Sequence, residues 1–323
     1  MLKTVIASLF GAALAMGTSI ASAQDFPSRP VRLVTIFAPG SASDANARFL
    51  SGKMAPILGQ PVLVDNKPGG GGLVATRDVL RSQPIGYSFL YSTPEVMANT
   101  FAYRDPGYKL DDLIVMAPFG LGSYGLIINN KVIPAKTVAE LVAFAKANPG
   151  KLNYGSLGPS AANTILAERF KQAAGIELEA IPFKGGEPLA VALLAGQIHV
   201  YFATFNTAMQ RMKNKQVTGL AATSLERMKA MPELPTMKEL GYPDMVMTYW
   251  SATFLPAVTP RPIVQRLHDA VRQVTSAQET KDLLAKNAIE TWPGTVEQFS
   301  AFTRKETADL QADYKRLKID VME

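Results

Sequence analysis

The sequence predicts an α/β fold with a mostly parallel sheet, and two observations support this. Short apolar runs typical of buried strands alternate with segments of helical spacing through most of the chain. Apolar residues make up 47% of the 323 residues, so a sizeable core is expected, and the length is sufficient for two domains. In such sheets ligands bind at the carboxyl ends of strands, so we look for function in the loops that follow them.

The first 23 residues form a separate unit that predicts export. They contain Lys3, a long apolar stretch and Ala-Ser-Ala immediately before Gln24, which is the pattern of a cleavable signal peptide. A membrane anchor is the alternative, but the apolar run is short for a span. The chain has no cysteine, which excludes disulfides and a lipid-carrying cysteine. We therefore expect a soluble mature protein in the periplasm.

Nine apolar runs predict strands: VRLVTIF, VLVDN, SFLYST, LIINN, LNYGS, LEAIPF, IHVYFAT, VTGLAAT and MTYWSATFL. Helices are predicted over residues 48–58, 137–148, 160–174 and 295–317. The second and fourth open with capping-box spacing, Thr137 with Glu140 and Thr295 with Gln298.

The layout also suggests two places where the chain crosses between lobes, near residues 119–124 and 248–255. We expect residues 1–23 to be the signal peptide, residues 24–123 and 249–323 to form the first lobe, and residues 124–248 to form the second. The C-terminal helices should then return to the first lobe.

The residue inventory argues against an enzyme. Only two histidines occur, His199 and His268, and there is no His-Glu-x-x-His motif. Ser156 has Tyr154 rather than glycine two residues before it, so it fails the nucleophile-elbow pattern. The glycine run in residues 68–76 lacks the Gly-Lys-Ser/Thr ending of a phosphate loop. Lysines and arginines are scattered without interleaved aromatics, so we predict no catalysis, no cofactor, no metal and no nucleic-acid partner.

Two loops share one pattern of strand, small polar loop and helix: FAPGSASDANAR, and LNYGSLGPSAANTILAERF further along the chain. Gly40 and Gly155 have no side chain, which is typical of positions where the backbone must come close to another group. Ser43 or Asp44 could cap the first helix, and Ser160 the second. Because a helix N-terminus offers unpaired N–H groups and a positive dipole end, the two loops could hold a carboxylate. On pattern alone, the alternative is that both loops are only well-capped turns between a strand and a helix and bind no ligand.

Several stretches, in order along the chain, resemble the Bug family of periplasmic solute-binding proteins that serve tripartite tricarboxylate transporters: FPSRPVRLVTIFAPGSASDANARFLSGKM, LGQPVLVDNKPGGGG, ANPGKLNYGSLGPSAANTILAERF, IPFKGGEPLAVALLAGQIHVYFA and MPELPTMKELGYP. The resemblance covers about residues 26–317. It implies a two-lobed α/β fold of the type II periplasmic binding proteins, the Venus flytrap, with two crossovers and no catalysis. It also implies a carboxylate held between the two loops, a membrane permease as partner, and a monomer.

Carried over by position, the resemblance places ligand contacts in the two loops, in two segments beside the cleft and at the second crossover. These residues are Ala38, Pro39, Gly40, Ser41, Ala42, Ser43, Asp44, Gly155, Ser156, Leu157, Gly158, Ser160, Ala161, Ala162, Phe183, Lys184, Ala203 and Trp250.

The sequence departs from the family at positions that bear on the ligand. Residues that are acidic in many relatives are His199 and Ala203 here, and the second loop gains apolar side chains. These changes favour a carboxylate with an apolar middle, such as an aromatic mono- or dicarboxylate. The candidate walls for its ring are Phe183, Phe202, Phe205, Tyr249 and Trp250. An ordinary C4 to C6 dicarboxylate is the alternative.

The function predicted from the sequence is therefore a periplasmic protein that captures an organic carboxylate and presents it to a membrane permease. A stand-alone sensor that delivers the ligand to a membrane receptor would have the same fold and site. A secreted α/β hydrolase is the other alternative, and it lacks a nucleophile with a base placed in a motif.

Export gives the first testable prediction. Mass spectrometry of the periplasmic protein should show a mature chain that starts at Gln24, because the signal is cleaved after Ala23. A mature species that retains residues 1–23 would contradict it.

Overall fold

The computed structural model describes residues 26–322 and contains two five-stranded sheets. The predicted signal peptide lies outside the described residues. The strands are β1 (Val31–Thr35), β2 (Val62–Asn66), β3 (Ser88–Ser92), β4 (Leu113–Gly122), β5 (Tyr124–Ile128), β6 (Asn153–Ser156), β7 (Glu179–Pro182), β8 (Val200–Thr204), β9 (Thr218–Ala222) and β10 (Tyr249–Pro256). The first sheet has the order β2-β1-β3-β10-β4, and the second has the order β7-β6-β8-β5-β9.

Both sheets are mixed, so the prediction of a mostly parallel sheet is wrong. In the first sheet β1 pairs in parallel with β2 and β3, whereas β10 runs antiparallel to β3 and β4. In the second, β6 pairs in parallel with β7 and β8, whereas β5 runs antiparallel to β8 and β9. The antiparallel pairs all involve β5 or β10, the two strands that enter their sheets directly from the other lobe. The predicted two-lobed α/β fold accommodates this reversal.

Within the described residues the helices are α1 (Ala42–Leu58), α2 (Leu73–Arg81), α3 (Glu95–Ala102), α4 (Val138–Ala147), α5 (Ala162–Ala174), α6 (Gly186–Leu194), α7 (Phe205–Lys213), α8 (Arg261–Ser276), α9 (Gln278–Lys286) and α10 (Val296–Leu317). None of them is long and apolar enough to cross a membrane. The four predicted helices correspond to α1, α4, α5 and α10, although α1 begins six residues earlier than predicted. Strand β4 was missed because Pro118, Gly120 and Gly122 within it resemble turn signals.

The caps agree with the sequence only in part. Thr295 and Gln298 form the complete capping box of α10. At α4 the hydroxyl of Thr137 accepts from the N–H of Glu140 as predicted, but the Glu140 carboxylate accepts from the N–H of the preceding residue, Lys136.

The two chain crossings are tied together at one hydroxyl. Ser123 lies between β4 and β5, and its hydroxyl is 3.1 Å from the hydroxyl oxygen of Thr223. The Thr223 hydroxyl also accepts a hydrogen bond from the N–H of Tyr124 at 3.1 Å and donates one to the carbonyl of Met247 at 2.9 Å. Beside them the rings of Tyr124 and Tyr249 meet edge to face, with centroids 6.1 Å apart. The first crossing and the start of the second are thus one hydrogen-bonded hinge. The predicted lobe boundaries stay a prediction, and we use them as a working division.

The last helix contacts elements of both lobes, so it adds a second set of contacts to the expected return to the first lobe. Helix α8 packs against α1 and β4 there, but α10 contacts α3 of the first lobe and α5 of the second. Near its end, Asp313 accepts from Nε of Arg169 on α5 at 2.8 Å, and both side chains are about nine-tenths buried. Arg169 also donates to the carbonyl of Asp244 at 3.0 Å, and the Tyr314 hydroxyl donates to the carbonyl of Pro159.

We predict that Asp313→Asn lowers the free energy of unfolding by about 3 kcal/mol, because it leaves the guanidinium of Arg169 buried without its counter-charge. Urea unfolding at neutral pH measures the change. Asp309→Asn is the matched control on the same helix, since the Asp309–Lys305 pair is mostly exposed and should contribute less than about 1 kcal/mol. Equal effects of the two substitutions would contradict the prediction.

Candidate functional site

The strand order places the candidate site between the two sheets. In the first lobe β1 and β3 are parallel neighbours, so the loops that follow them lie at one edge of the sheet. In the second lobe β6 and β8 are parallel neighbours in the same way. A Cβ atom built on Gly71 of the first lobe would lie 2.5 Å from the hydroxyl oxygen of Ser160 of the second. Side chains and loops of the two lobes therefore meet across a narrow cleft.

A small cavity of about 40 Å³ lies beside the hinge and has walls from both lobes. Ser43 and Asn46 line it from α1, Thr204 and Asn206 from the second lobe, and Tyr249 from the crossing. This volume accommodates only a few water molecules. An organic acid could enter the cleft only when the lobes separate about the hinge.

The first loop ends in a helix cap that differs from the predicted one. Ser41, not Ser43 or Asp44, is the N-cap of α1, and its hydroxyl accepts from the N–H of Asp44 at 3.2 Å. Gly40 has φ +81°, and a Cβ there would contact nothing within 4 Å. Glycine is needed at this position for its backbone conformation rather than for close approach to a neighbour. Ala38, Pro39 and Gly40 are exposed, and Ser41 and Ser43 are half-buried.

Asp44 holds the first loop in shape instead of facing a ligand. Its carboxylate accepts from the N–H of Gly40 at 2.8 Å, from Nε of Arg48 at 2.9 Å and from Nδ2 of Asn66 at 2.7 Å. Burial alone would raise the pKa of Asp44, but the hydrogen bonds from Asn66, Gly40 and Arg48 and the charge of Arg48 outweigh it, so the pKa is lowered. An ionised, saturated carboxylate is a poor contact for an anion, and we assign Asp44 a positioning role.

The second loop leaves the start of its helix without a side-chain cap. Helix α5 begins after Ala161, and Ser160 makes no capping hydrogen bond, so the prediction that Ser160 caps this helix is wrong. The hydroxyl of Ser156 is 2.8 Å from that of Thr164 and accepts from the N–H of Gly158 at 3.1 Å. The N–H groups of Ala162 and Asn163 lie in the first turn of the helix, where no intrahelical acceptor is available to them.

The reason for Gly155 lies inside the second lobe. A Cβ at this position would lie 2.5 Å from Cγ of Leu189, so the missing side chain makes room for Leu189 rather than for a ligand. Its carbonyl accepts from Nδ2 of Asn163 at 2.7 Å, which ties the end of β6 to the first turn of α5.

Two predicted contacts, Phe183 and Lys184, lie beside the second loop. The N–H of Phe183 donates to the carbonyl of Ser156 at 2.8 Å, so the segment after β7 runs next to the end of β6. Phe183 is half-buried and packs on the core of the second lobe, whereas Lys184 is exposed. Leu157 and Gly158 are also half-buried.

Trp250 and Ala203 were predicted as contacts, but the structure buries both. Trp250 is 0% exposed, its ring lies 5.5 Å from that of Phe299, and its indole N–H donates to Glu306. Ala203 is 0% exposed in the core of the second lobe. Phe202 and Phe205 are each 1% exposed. The side chains of Trp250, Ala203 and Phe202 fill cores, which corrects the expectation that they face the ligand. Phe205 also packs in a core, but it lines the interlobe cavity as well, so its role as a candidate wall stays a prediction.

His199 lies on the side of the second lobe away from the cleft. It precedes β8, whose carboxyl end faces the cleft, and its Nδ1 is 2.7 Å from Oδ1 of Asn153. Burial lowers its pKa. The loss of an acidic residue at this position therefore carries no information about the ligand.

Sequence reasoning missed a group of residues at the first-lobe edge. The glycine run was considered only as a phosphate loop, yet Gly71 meets Ser160 across the cleft, and its carbonyl accepts from Nδ2 of Asn99 at 2.9 Å. Asn99 and Glu95 lie on α3, which follows β3. The rule that ligands bind at the carboxyl ends of strands could have found them, since SFLYST was recognised as a strand.

Comparison with known proteins agrees with this architecture. The family model described as the tripartite tricarboxylate transporter family receptor matches residues 46–317. The chain belongs to this family. Among curated relatives of the receptor, a UPF0065 protein of Bordetella pertussis is 33% identical over 281 residues, 87% of each chain. The predicted membership of the Bug family is confirmed.

Two solved structures extend the comparison. The periplasmic binding protein BugD is 28% identical to the receptor, with a TM-score of 0.84 over 91% of this chain and 99% of that one. Rpa4515 of R. palustris, solved with adipate, is 27% identical, with a TM-score of 0.85 and the same coverage. The predicted two-lobed fold is confirmed, and the family is one of solute-binding receptors.

The Asp44 network predicts a pH dependence. Because the pKa of Asp44 is lower in the folded receptor than its ordinary value of 3.8, ionised Asp44 stabilises the fold above that pH, and the contribution is lost as the pH falls through the folded-state value. Asp44→Asn should therefore lower the free energy of unfolding at about pH 7 by about 1–3 kcal/mol and have a smaller effect at about pH 3.

Denaturant unfolding at the two pH values measures this difference. Asp111→Asn, at an exposed position in the same lobe, is the control and should change little at either pH. A deficit of Asp44→Asn that is equally large in acid would be inconsistent with the proposed network.

Proposed function

We propose that this receptor is a periplasmic solute-binding protein that captures an organic carboxylate and delivers it to the membrane permease of a tripartite tricarboxylate transporter. The observation that carries the proposal is the pair of helix-opening loops, residues 38–44 and 155–162, placed at the facing edges of two lobes. Family membership supports the same conclusion, as does adipate in the structure of Rpa4515.

The carboxylate would be held mainly by backbone N–H groups and hydroxyls. None of the described residues that line the interlobe cavity is a lysine or arginine. The first turns of α1 and α5 provide N–H groups and two positive dipole ends, which favour an anion without a buried cation. Ser43 and the second-loop hydroxyls can add hydrogen bonds.

Unpaired polar atoms at the cleft provide further support. Within residues 26–322, Oδ1 of Asn99, Asn163 and Asn206 is buried without a hydrogen-bond partner in the protein. Asn99 lies beside Gly71, Asn163 is the second residue of α5, and Asn206 lines the cavity. Buried polar atoms are nearly always paired, so these side chains are suited to a ligand or to ordered water that accompanies it.

We further propose a ligand with an apolar middle, such as an aromatic mono- or dicarboxylate. The support comes from Tyr249 and Phe205, which line the cavity, and from Phe183 and Leu157, which are half-buried beside the second loop. Apolar side chains there would stabilise an apolar ligand body by about 25 cal/mol for each Å² removed from water.

A thermal-shift and calorimetry series tests the proposal with benzoate, terephthalate, succinate, adipate and citrate. A bound carboxylate should raise the unfolding free energy by about 2.7 kcal/mol at one hundred times its dissociation constant. Benzamide, which lacks the carboxylate, is the ligand control and should have no effect.

The variant Gly40→Val tests whether the first loop takes part in binding. A branched residue at φ +81° strains the first loop, and carboxylate binding should weaken. Absence of binding by every acid would contradict the proposed function. Tighter binding of succinate or citrate than of both aromatic acids would contradict only the aromatic part.

A further inference from the structure

One residue of the glycine run after β2 faces the other lobe. Gly70–Gly72 form a short 3-10 turn between β2 and α2, and Gly71 has φ +59°. A Cβ atom built on Gly71 would lie 2.5 Å from Oγ of Ser160 and 3.8 Å from its Cβ. Ser160 belongs to the second loop, so the missing side chain of Gly71 allows that loop to approach the first lobe.

The two neighbouring glycines lack side chains for reasons within their own lobe. A Cβ on Gly70 would meet Cβ of Leu73 at 3.2 Å, and one on Gly72 would meet Cγ2 of Ile36 at 2.9 Å. Leu73 and Ile36 both lie in the predicted first lobe. Within this turn, Gly71 is therefore the residue whose missing side chain concerns the second lobe.

Helix α3 of the first lobe holds this turn in place. Asn99 is 0% exposed, and its Nδ2 donates to the carbonyl of Gly71 at 2.9 Å. In the part of the chain that the structure describes, Oδ1 of Asn99 is buried without a partner, and it lies 3.2 Å from the Cβ position of Gly71. Ser160 thus meets a first-lobe surface that consists of a bare glycine and a buried amide.

The residue before Ser160 is connected to the same helix through a tyrosine. The hydroxyl of Tyr314 donates to the carbonyl of Pro159, and its ring meets that of Phe101 on α3 edge to face, with centroids 4.8 Å apart. Two successive residues of the second loop are therefore fixed from outside their own lobe. The helix that follows the loop does not fix Ser160, because Ser160 makes no capping hydrogen bond there.

The contact between Gly71 and Ser160 depends on the positions of the lobes. The two residues lie on different lobes, so rotation about the hinge must change the distance between them. Entry of an organic acid requires such a rotation, since the interlobe cavity measures only about 40 Å³. The contact is thus made when the receptor closes and broken when it opens.

We propose that Gly71, Asn99 and Ser160 form an interlobe contact that is made on closure and holds the second loop against the bound carboxylate. Gly71 and Asn99 are positioning residues here, because they act on the ligand through the loop. The inference rests on the proposed function and adds to it the contact that completes the closed site. The glycine run then serves solute capture rather than phosphate binding.

A disulfide between the two lobes tests the contact directly. The chain has no cysteine, and the 3.8 Å between the Cβ positions of residues 71 and 160 is an ordinary value for a disulfide. Gly71→Cys combined with Ser160→Cys should therefore form the bond under mild oxidation. Gly70→Cys combined with Ser160→Cys is the matched control, because Gly70 has φ +56° but its Cβ would meet Leu73. This control should cross-link at least about tenfold more slowly.

Addition of a ligand links the contact to closure. The probe is whichever of benzoate, terephthalate, succinate, adipate and citrate the wild-type receptor binds most tightly. At saturation the probe should speed disulfide formation at least about threefold, because a ligand that prefers the closed form shifts the population toward it. The oxidised, ligand-free receptor should take up none of the five acids, and reduction with dithiothreitol should restore binding.

A double-mutant cycle separates the contact from backbone strain. Gly71→Ala brings a methyl group against the Ser160 hydroxyl and should weaken binding of the probe at least about fivefold. Ser160→Ala removes that hydroxyl and leaves the two Cβ atoms 3.8 Å apart, so in this background Gly71→Ala should cost at most about twofold. Gly70→Ala introduces similar backbone strain and should change the affinity at most about twofold in either background.

The outcomes separate this inference from the proposed function. The interlobe contact is overturned, with carboxylate binding intact, by equal cross-linking of the two cysteine pairs or by a rate that the bound probe leaves unchanged. Equal effects of Gly71→Ala in both backgrounds also overturn it, as does binding of the probe by the oxidised receptor. Failure of all five acids to bind the wild-type receptor overturns the proposed function itself and this inference with it.

Discussion

The hydrogen bonds of the Thr223 hydroxyl are the constraint on which the rest of the structure depends. They join Ser123 and Tyr124 of the first crossing to Met247 of the second. Because both crossings are held at one point, the two sheets face each other with the carboxyl ends of their parallel strands at the same gap. Loops that are far apart in the chain then share one site. The reversed strands β5 and β10 are the structural consequence, since each enters its sheet from the hinge.

The C-terminal helix adds a second tie between the lobes. The buried pair of Arg169 and Asp313 connects α10 to α5, whose first turn belongs to the second candidate loop. Motion of the lobes must therefore leave this pair intact or carry α10 with the second lobe, because separating the two charges in a buried setting is costly. The order of the second loop is thus linked to contacts made near the end of the chain.

The first turns of α1 and α5 give the cleft N–H groups without intrahelical acceptors and two positive dipole ends. The dipole ends of α1 and α5 act on the atoms they face, and Asp44 is occupied by Gly40, Arg48 and Asn66. The acidic residue of the first loop is therefore committed to holding the loop in shape.

The sequence by itself determined the α/β class, the two loops that open α1 and α5, the capping box of α10 and the family. These features depend on local patterns, since a strand followed by a small polar loop and a helix has the same meaning wherever it occurs. The sequence could not decide which aromatic side chains face a ligand. Trp250 and Phe202 are apolar enough for a core or a binding wall, and only packing against Phe299 and Phe170 placed them in cores.

Tertiary structure alone decided which distant residues meet. The contact of Gly71 with Ser160 and the pairing of Arg169 with Asp313 each join segments from different parts of the chain. No local pattern encodes these contacts, because they arise from the way two lobes close around a shared hinge. The physical reason is that the spacing of apolar residues shows which side of one helix or strand is buried. A binding cleft, in contrast, forms where the surfaces of two lobes are brought together.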